Sequence, residues 1–189
     1  MRLAMTSARL PRSGNAALAS GALIQAAVGL EFVLAGLNKV VDADYVMQFR
    51  SYVQSSPGAT AGPLAGVFQA LVVPNAELMA HVSRYIELGG GAILLLTALE
   101  VARRRLSGRL GEQHAYEPLV ALISAGAAFL LGGMSLTIYL LQGGQLPMLS
   151  PAFAFGSPIA IELLLVPLAL AIGWLEFGRF LALREQPSQ

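Results

Sequence analysis

The chain has 189 residues, of which 56% are apolar and 12% are charged. Soluble domains carry about 25% charged residues, so this composition favours an integral membrane protein. The net charge of +1 and the lack of a basic stripe outside residues 103–109 argue against a nucleic-acid partner. Because the chain has no cysteine, it has no disulfide, thiolate metal site or Cys-x-x-Cys redox pair. A redox function would therefore depend on a cofactor or a partner.

The first apolar stretch predicts a membrane-spanning helix over residues 19–41. At 1.5 Å per residue, a helix of this length crosses about 30 Å of hydrocarbon. Three arginines precede it, as they would in a signal peptide. However, the Ala-Leu-Ala triplet at residues 17–19 comes before the apolar run, whereas a cleavage site would follow it. We therefore expect an uncleaved first span.

Residues 42–80 are predicted to form a loop that contains an interfacial or re-entrant segment. Acidic residues at its start can cap a short helix that lies on the membrane surface. Residues 55–63 are rich in Pro, Gly and Ser, which predicts a loop. The apolar piece 64–73 is too short to span a bilayer, and Asn75 is predicted to be the N-cap of the helix that follows.

Three further spans are predicted, over residues 82–102, 118–141 and 159–180. The second span of the chain, 82–102, ends at three consecutive arginines, of which Arg103 is the first. The third carries Ser124, Ala128 and Gly132 at four-residue spacing, which predicts a face for close helix packing. The loop 142–158 has three prolines and no charge. The whole chain, residues 1–189, is predicted to form one membrane domain.

The distribution of positive charge predicts the orientation of the spans. Nine of the twelve Lys and Arg residues fall on the side of the termini, and only Lys39, Arg50 and Arg84 fall on the other. The positive-inside rule then places both termini in the cytoplasm and residues 42–80 outside. Four spans with short connections predict an all-α, antiparallel four-helix bundle.

Ionisable residues within the predicted spans indicate where a functional site lies. Counted inward from the outer boundary, Lys39, Glu87 and Glu162 share one depth, whereas Glu31 lies eight residues before Lys39, about 12 Å deeper along a helix. A lone charge at such a depth costs at least about 2.5 kcal/mol, so these groups should pair, protonate or face a polar cavity. Asn38, Tyr139 and Gln142 can join this cluster.

Two interpretations of the cluster remain open. In the first, Lys39, Glu87, Glu162 and Asn38 line a pocket for a quinone headgroup, where Lys39 donates a hydrogen bond and a carboxyl group exchanges protons. In the second, Lys39 pairs with Glu87 only to fasten two helices together.

Other residues favour structural interpretations. His81 and His114 fall on opposite sides of the membrane, so they cannot jointly bind a haem or a metal ion, and neither cofactor is predicted. The three consecutive glycines at residues 89–91 are typical of close helix packing.

The chain resembles the DoxX/DoxD-like membrane proteins. The resemblance rests on the run from Phe32 to Lys39, on Pro74 before the second span, and on Glu87 followed by glycines and a Leu-rich stretch that ends in arginines. It implies a four-helix subunit in a bacterial inner membrane that acts in a quinone-linked assembly, such as the membrane subunit of thiosulfate:quinone oxidoreductase. It also implies that Lys39 and Glu87 are functional residues.

The sequence leaves open whether the chain takes part in catalysis. The alternative to a quinone-linked subunit is an accessory subunit that packs against a larger respiratory or photosynthetic complex through residues 45–73. In both cases we expect the lipid bilayer and at least one protein as partners. A small-solute transporter is disfavoured, because four spans leave little room for alternating access.

Overall fold

The structure of the protein, a computed structural model, describes residues 12–106, 116–144 and 159–185. Predictions for the first eleven residues, for the charged turn that contains His114 and for most of the loop 142–158 lie outside this part of the chain. The described residues form seven α-helices and one π-helical turn, with no strand. In chain order they are α1 (Arg12–Val41), α2 (Tyr45–Ser55), α3 (Pro57–Thr60), α4 (Ala65–Val67), the π-helical turn (Phe68–Val72), α5 (Ala76–Leu106), α6 (Glu117–Leu141) and α7 (Ile161–Arg184).

Four of these helices are long and apolar enough to cross a membrane: they are α1, α5, α6 and α7. Between 28% and 44% of the most apolar part of each helix is buried inside the protein, so most of the apolar surface faces outward. Such a surface is stable against lipid but not against water. The predicted all-α membrane bundle of four helices is therefore confirmed, and a lipid bilayer is its natural environment.

The long helices form two closely packed pairs, α1 with α5 and α6 with α7, and the pairs meet mainly between α5 and α6. Their antiparallel order is marked by side-chain contacts. The ends of α5 and α6 contact the start of the next helix through Arg104 with Glu117 and Gln142 with Glu162, and the end of α1 contacts the first half of α5 through Lys39 with Glu87. These three contacts therefore lie toward the two ends of the bundle.

Close approach of α1 and α5 depends on glycine. A Cβ atom at Gly29 would lie 2.8 Å from a backbone nitrogen of α5, and one at Gly91 would lie 2.7 Å from a backbone nitrogen of α1. Gly90 instead faces the side chain of Leu131, and a Cβ at Gly89 would meet open space. Two of the three consecutive glycines therefore pack against neighbouring helices, as predicted.

The small residues of α6 form the predicted packing face. Ser124, Ala128 and Gly132 are all buried. Ser124 accepts a hydrogen bond from Nε2 of Gln25 at 2.9 Å, which links α6 to α1. A Cβ at Gly132 would lie 3.3 Å from the Cβ of Ala169 on α7. One face of α6 thus contacts two of its neighbours.

The segment between α1 and α5 closes one end of the bundle. The amphipathic helix predicted after residue 44 is present as α2. Val53 of α2 and Phe68 of the π-helical turn are buried against Leu141 at the end of α6. The apolar stretch predicted as interfacial or re-entrant forms α4 and the π-helical turn, which together are far shorter than the roughly 20 residues of a spanning helix.

Two local details of this segment differ from the predictions. The predicted loop over residues 55–63 contains one helical turn, α3, because Ser56 Oγ accepts a hydrogen bond from Ala59 N–H at 3.3 Å and Pro57 occupies the first turn. Asn75 precedes α5, but its side-chain amide donates to the carbonyl oxygen of Leu71 at 2.8 Å. The predicted side-chain cap is thus replaced by a bond back to the π-helical turn.

Candidate functional site

The candidate site lies where the end of α1 packs against α5 about three turns after the start of α5, and we call this the Lys39 end of the bundle. Here the ammonium group of Lys39 donates a hydrogen bond to Oε1 of Glu87 and forms an ion pair with it. Glu87 is only 2% exposed, and its other oxygen, Oε2, is buried with no hydrogen-bond partner among the described residues. A buried carboxylate oxygen without a partner is costly, so this atom is suited to a proton or to a ligand that donates a hydrogen bond.

The crossing of α1 and α5 brings these two side chains together. A Cβ at Gly36 would lie 2.7 Å from the backbone nitrogen of Leu88, which immediately follows Glu87. Lys39 lies one turn after Gly36 on α1, so the glycine contact sets the distance between the ammonium and carboxylate groups. The site therefore depends on backbone packing as well as on its two charges.

Helix α2 covers one side of this pair. The ammonium group of Lys39 lies 5.8 Å from the centre of the Tyr45 ring, within the range of a cation–π contact. The hydroxyl of Ser83 donates to the carbonyl oxygen of Ala80 at 3.0 Å, so the Tyr45 hydroxyl is the donor in its 2.8 Å hydrogen bond with Ser83. Burial raises the pKa of the Tyr45 phenol, which keeps this donor protonated.

The other predicted site residues lie elsewhere at the Lys39 end. Oε1 of Glu162 accepts a hydrogen bond from Nε2 of Gln142 at 2.8 Å. Within the described residues, Glu162 forms no hydrogen bond or ion pair with Lys39 or Glu87. Asn38 is exposed, because consecutive residues of a helix point in directions about 100° apart. The structure thus brings together Lys39 and Glu87, with Tyr45 and Ser83 as neighbours that the sequence analysis did not assign to the site.

The environment of Glu162 gives a pH-dependent prediction. Burial raises the pKa of Tyr52 on α2, and the negative charge of Glu162 raises it further. We expect Glu162→Gln to lower the pKa of Tyr52 toward its ordinary value, while burial keeps it partly raised. The measurement is the phenolate absorbance of the wild type and of Glu162→Gln as the pH is raised. Subtracting the absorbance of the same protein with Tyr52→Phe leaves the titration of Tyr52 alone.

The control for this experiment removes a different carboxylate. Glu77 is exposed in the first turn of α5, so Glu77→Gln should leave the pKa of Tyr52 unchanged. Equal values of that pKa in the wild type and in Glu162→Gln would contradict the proximity of Glu162 to Tyr52.

A second polar cluster lies where α5 ends and α6 begins, which we call the Arg104 end. Arg104 is 6% exposed, and its guanidinium group donates to Glu117 Oε1 at 2.5 Å, to Glu100 Oε1 at 2.9 Å and to the Tyr116 hydroxyl at 2.8 Å. Arg179 of α7 adds a longer bond of 3.3 Å to Glu117 Oε2. This network ties α5, α6 and α7 together.

The network at the Arg104 end was not predicted from the sequence, in which the arginines indicated only the end of a span and the orientation of the bundle. A signal was present, because Glu100 precedes Arg103 and Arg104 by three and four residues, the spacing at which helical side chains meet. The contact with Glu117 joins different helices, and no local spacing predicts it.

The histidine of the described segment lies apart from both clusters. Nδ1 of His81 is 2.6 Å from Nη2 of Arg84, one turn away on α5. Within residues 12–106, 116–144 and 159–185, no three His, Cys, Asp or Glu side chains are placed to hold a metal ion. The remaining predicted ionisable residue, Glu31, is exposed.

Comparisons of the chain with protein-family models, with curated proteins and with solved structures gave no match. A functional assignment therefore rests on the chemistry of the chain's own residues.

Proposed function

We propose that this chain is a DoxX/DoxD-like membrane subunit of a quinone-linked redox assembly in a bacterial inner membrane. One observation carries the proposal: Lys39 binds one oxygen of the buried Glu87 carboxylate, and the other oxygen has no hydrogen-bond partner among the residues that the structure describes. Ionisable residues inside a membrane are expensive and commonly mark functional sites.

A quinone headgroup matches the hydrogen-bonding capacity of these two side chains. Lys39 can donate to a carbonyl oxygen of the oxidised form, and Oε2 of Glu87 can accept from a hydroxyl of the reduced form. The quinone would supply the two-electron redox chemistry, with electrons delivered by a partner protein. Lys39 and Glu87 would orient the headgroup and hold or release a proton at Oε2.

The orientation of the subunit follows from its charges. Nine of the twelve Lys and Arg residues belong to the side of the termini, so we propose that both termini are cytoplasmic and that the Lys39 end faces outward. On this arrangement the quinone headgroup is bound in the outer half of the bilayer, and the partner approaches from the outer surface.

A non-catalytic accessory subunit is the second candidate function, and the surface at the Lys39 end favours it. Leu64, Val67 and Leu71 are exposed on the segment that closes this end. Residues 51–76 contain no charged side chain. An exposed apolar surface without charge is typical of a protein interface or of contact with lipid, and here it would pack against a larger complex.

The test compares quinone binding with stability. We expect Glu87→Gln to reduce the quinone retained by the purified protein about tenfold, the loss of one hydrogen bond to a charged group. Quinone per chain is measured by mass spectrometry after gentle-detergent extraction, with and without added short-chain ubiquinone analogue. Glu31→Gln removes an exposed carboxylate from α1 and should retain quinone at the wild-type level.

A double variant separates a quinone site from a helix fastener. Lys39→Met leaves Glu87 buried without its cation and should lower the midpoint of unfolding. Combined with Glu87→Leu it replaces the pair by apolar side chains, which commonly restores stability. If the wild type binds quinone and the stable double variant does not, the pair is a binding site. If neither protein binds quinone, the pair is only a fastener, and the accessory function is favoured.

A further inference from the structure

A cleft opens between α1, α5 and α7 at the Arg104 end, remote from the Lys39–Glu87 pair. Its volume is about 140 Å³. Leu18, Val101, Ile172 and Leu175 give it apolar walls. Since α1 and α7 contact each other much less than either contacts its packed partner, the cleft opens sideways between them, toward lipid. Leu175, which is 60% exposed, stands at this opening.

Three polar side chains line the same cleft: Gln25, Glu176 and Arg179. Glu176 is 8% exposed. Its only hydrogen bond within the described residues is from Nη1 of Arg179 to Oε2, at 3.4 Å. A strong bond between a guanidinium and a carboxylate is about 2.7–2.9 Å long. Glu176 therefore keeps an oxygen available. Arg179 is held only by this bond and by one of 3.3 Å to Glu117 among the described contacts, and both bonds are long.

The depth of the cleft matches that of lipid headgroups. Gln25 lies 14 residues before Lys39 on α1, which places the cleft about 21 Å away along the helix axis. Arg179 lies in the penultimate turn of α7, which ends at Arg184. The polar side chains thus lie near one surface of the bilayer, and the apolar walls extend toward its interior.

We propose that this cleft binds a phospholipid whose headgroup carries both a phosphate and a primary ammonium group. Arg179 binds the phosphate through charge-assisted hydrogen bonds. Glu176 accepts hydrogen bonds from the ammonium group, and the first part of an acyl chain lies against Leu18, Val101 and Ile172. The cleft accommodates only the headgroup region and the start of one chain, and the rest of the lipid stays in the bilayer.

The two charges of the cleft define its specificity. A paired carboxylate and guanidinium match a zwitterionic headgroup, whereas an anionic headgroup would bring negative charge beside Glu176. A quaternary ammonium headgroup has no N–H to donate to a carboxylate. Phosphatidylethanolamine is therefore expected to bind more tightly than phosphatidylglycerol or phosphatidylcholine with the same acyl chains. This inference is independent of the quinone proposal, because the two sites lie at opposite ends of the bundle.

The experiment is native mass spectrometry of the detergent-purified protein, titrated separately with the three lipids. The wild type should bind one phosphatidylethanolamine about tenfold more tightly than the other two lipids, the effect expected for a hydrogen bond to a charged group. Glu176→Gln keeps the size of the side chain and should abolish that preference.

A matched pair of glycine variants tests the cleft itself. Gly21 lines the cleft, and its nearest neighbour for an added Cβ is Leu175 at 4.0 Å. Gly21→Leu fits the helix and fills the cleft, so it should reduce binding of phosphatidylethanolamine at least tenfold by excluding the lipid. Gly126→Leu makes the same substitution on α6 where a Cβ meets open space, and it should bind lipid like the wild type.

Several outcomes would overturn the proposal. Equal affinity of the wild type for the three lipids would remove the headgroup specificity. Wild-type lipid binding by Gly21→Leu would show that the lipid binds elsewhere. If the wild type is purified with one quinone per chain and Gly21→Leu is purified without it, the cleft is a quinone site. If Gly21→Leu fails to fold, the lipid preference of Glu176→Gln still tests the proposal.

Discussion

Replacement of Arg104 by glutamine is expected to lower the free energy of unfolding by about 3–5 kcal/mol, the cost of breaking a buried ion pair by removing one of its members. Arg104 is 6% exposed, and it binds Glu117 at 2.5 Å and Glu100 at 2.9 Å. Glu117 is itself buried. Without Arg104, its carboxylate loses a short charge-assisted hydrogen bond and stays inside the bundle. The three helices α5, α6 and α7 should therefore separate more easily at this end.

The neighbouring arginine supplies the control. Arg103 also binds Glu100, at 2.8 Å, but its side chain is 64% exposed. Exposed ion pairs contribute little to stability, so Arg103→Gln should leave the unfolding midpoint unchanged. Unfolding is followed in mixed micelles of increasing SDS content by circular dichroism and by the fluorescence of Trp174, the single tryptophan. Equal midpoints for the Arg104 and Arg103 variants would contradict a structural role for the network.

Much of the fold could be predicted because a bilayer restricts what a chain can do. Backbone groups in hydrocarbon must be satisfied within the segment, so every span is a helix of about 20 or more apolar residues. Such helices can be recognised one at a time. The small residues of α6 were recognisable for a related reason, since close packing requires them at four-residue spacing.

For the candidate site, the sequence predicted the depth of the residues in the membrane but not their direction around each helix. Counting residues from a span boundary gives depth, and it placed Lys39 and Glu87 at one level. It does not give the rotation of each helix about its axis, which depends on packing with neighbours. Asn38 therefore points outward although it adjoins Lys39, and Glu162 pairs with Gln142.

Apart from the pairing of Lys39 with Glu87, contacts between segments that are distant in the sequence could not be predicted. Tyr45 reaches Ser83 because α2 folds back over α5. Arg104 is buried because Glu117 starts the next helix beside it. In each case, the environment of a side chain depends on the three-dimensional arrangement of the helices, which hydropathy and charge patterns do not specify.

Substitution of a glycine at the crossing of α1 and α5 is also expected to lower the stability of the protein strongly. Gly91→Ala places a Cβ 2.7 Å from the backbone nitrogen of Val33 and 2.8 Å from the carbonyl oxygen of Gly29. Both are backbone atoms, which cannot move aside as a side chain would, so the two helices must separate. We expect a loss of about 1–3 kcal/mol in the free energy of unfolding, as for overpacked cores. Because Glu87 lies one turn before Gly91, its contact with Lys39 should lengthen as well.

Gly89→Ala is the matched control within the same three glycines. A Cβ at Gly89 meets open space, and alanine is favoured over glycine in a helix by roughly 1 kcal/mol, so this variant should be as stable as the wild type or more so. The natural chain has no cysteine, so spin labels can be attached to cysteines introduced at the exposed positions Leu23 and Leu96. Gly91→Ala should lengthen the distance between the labels, and Gly89→Ala should not. An unchanged distance and stability in Gly91→Ala would mean that α1 and α5 do not cross at glycine, and the pairing of Lys39 with Glu87 would lose its structural basis.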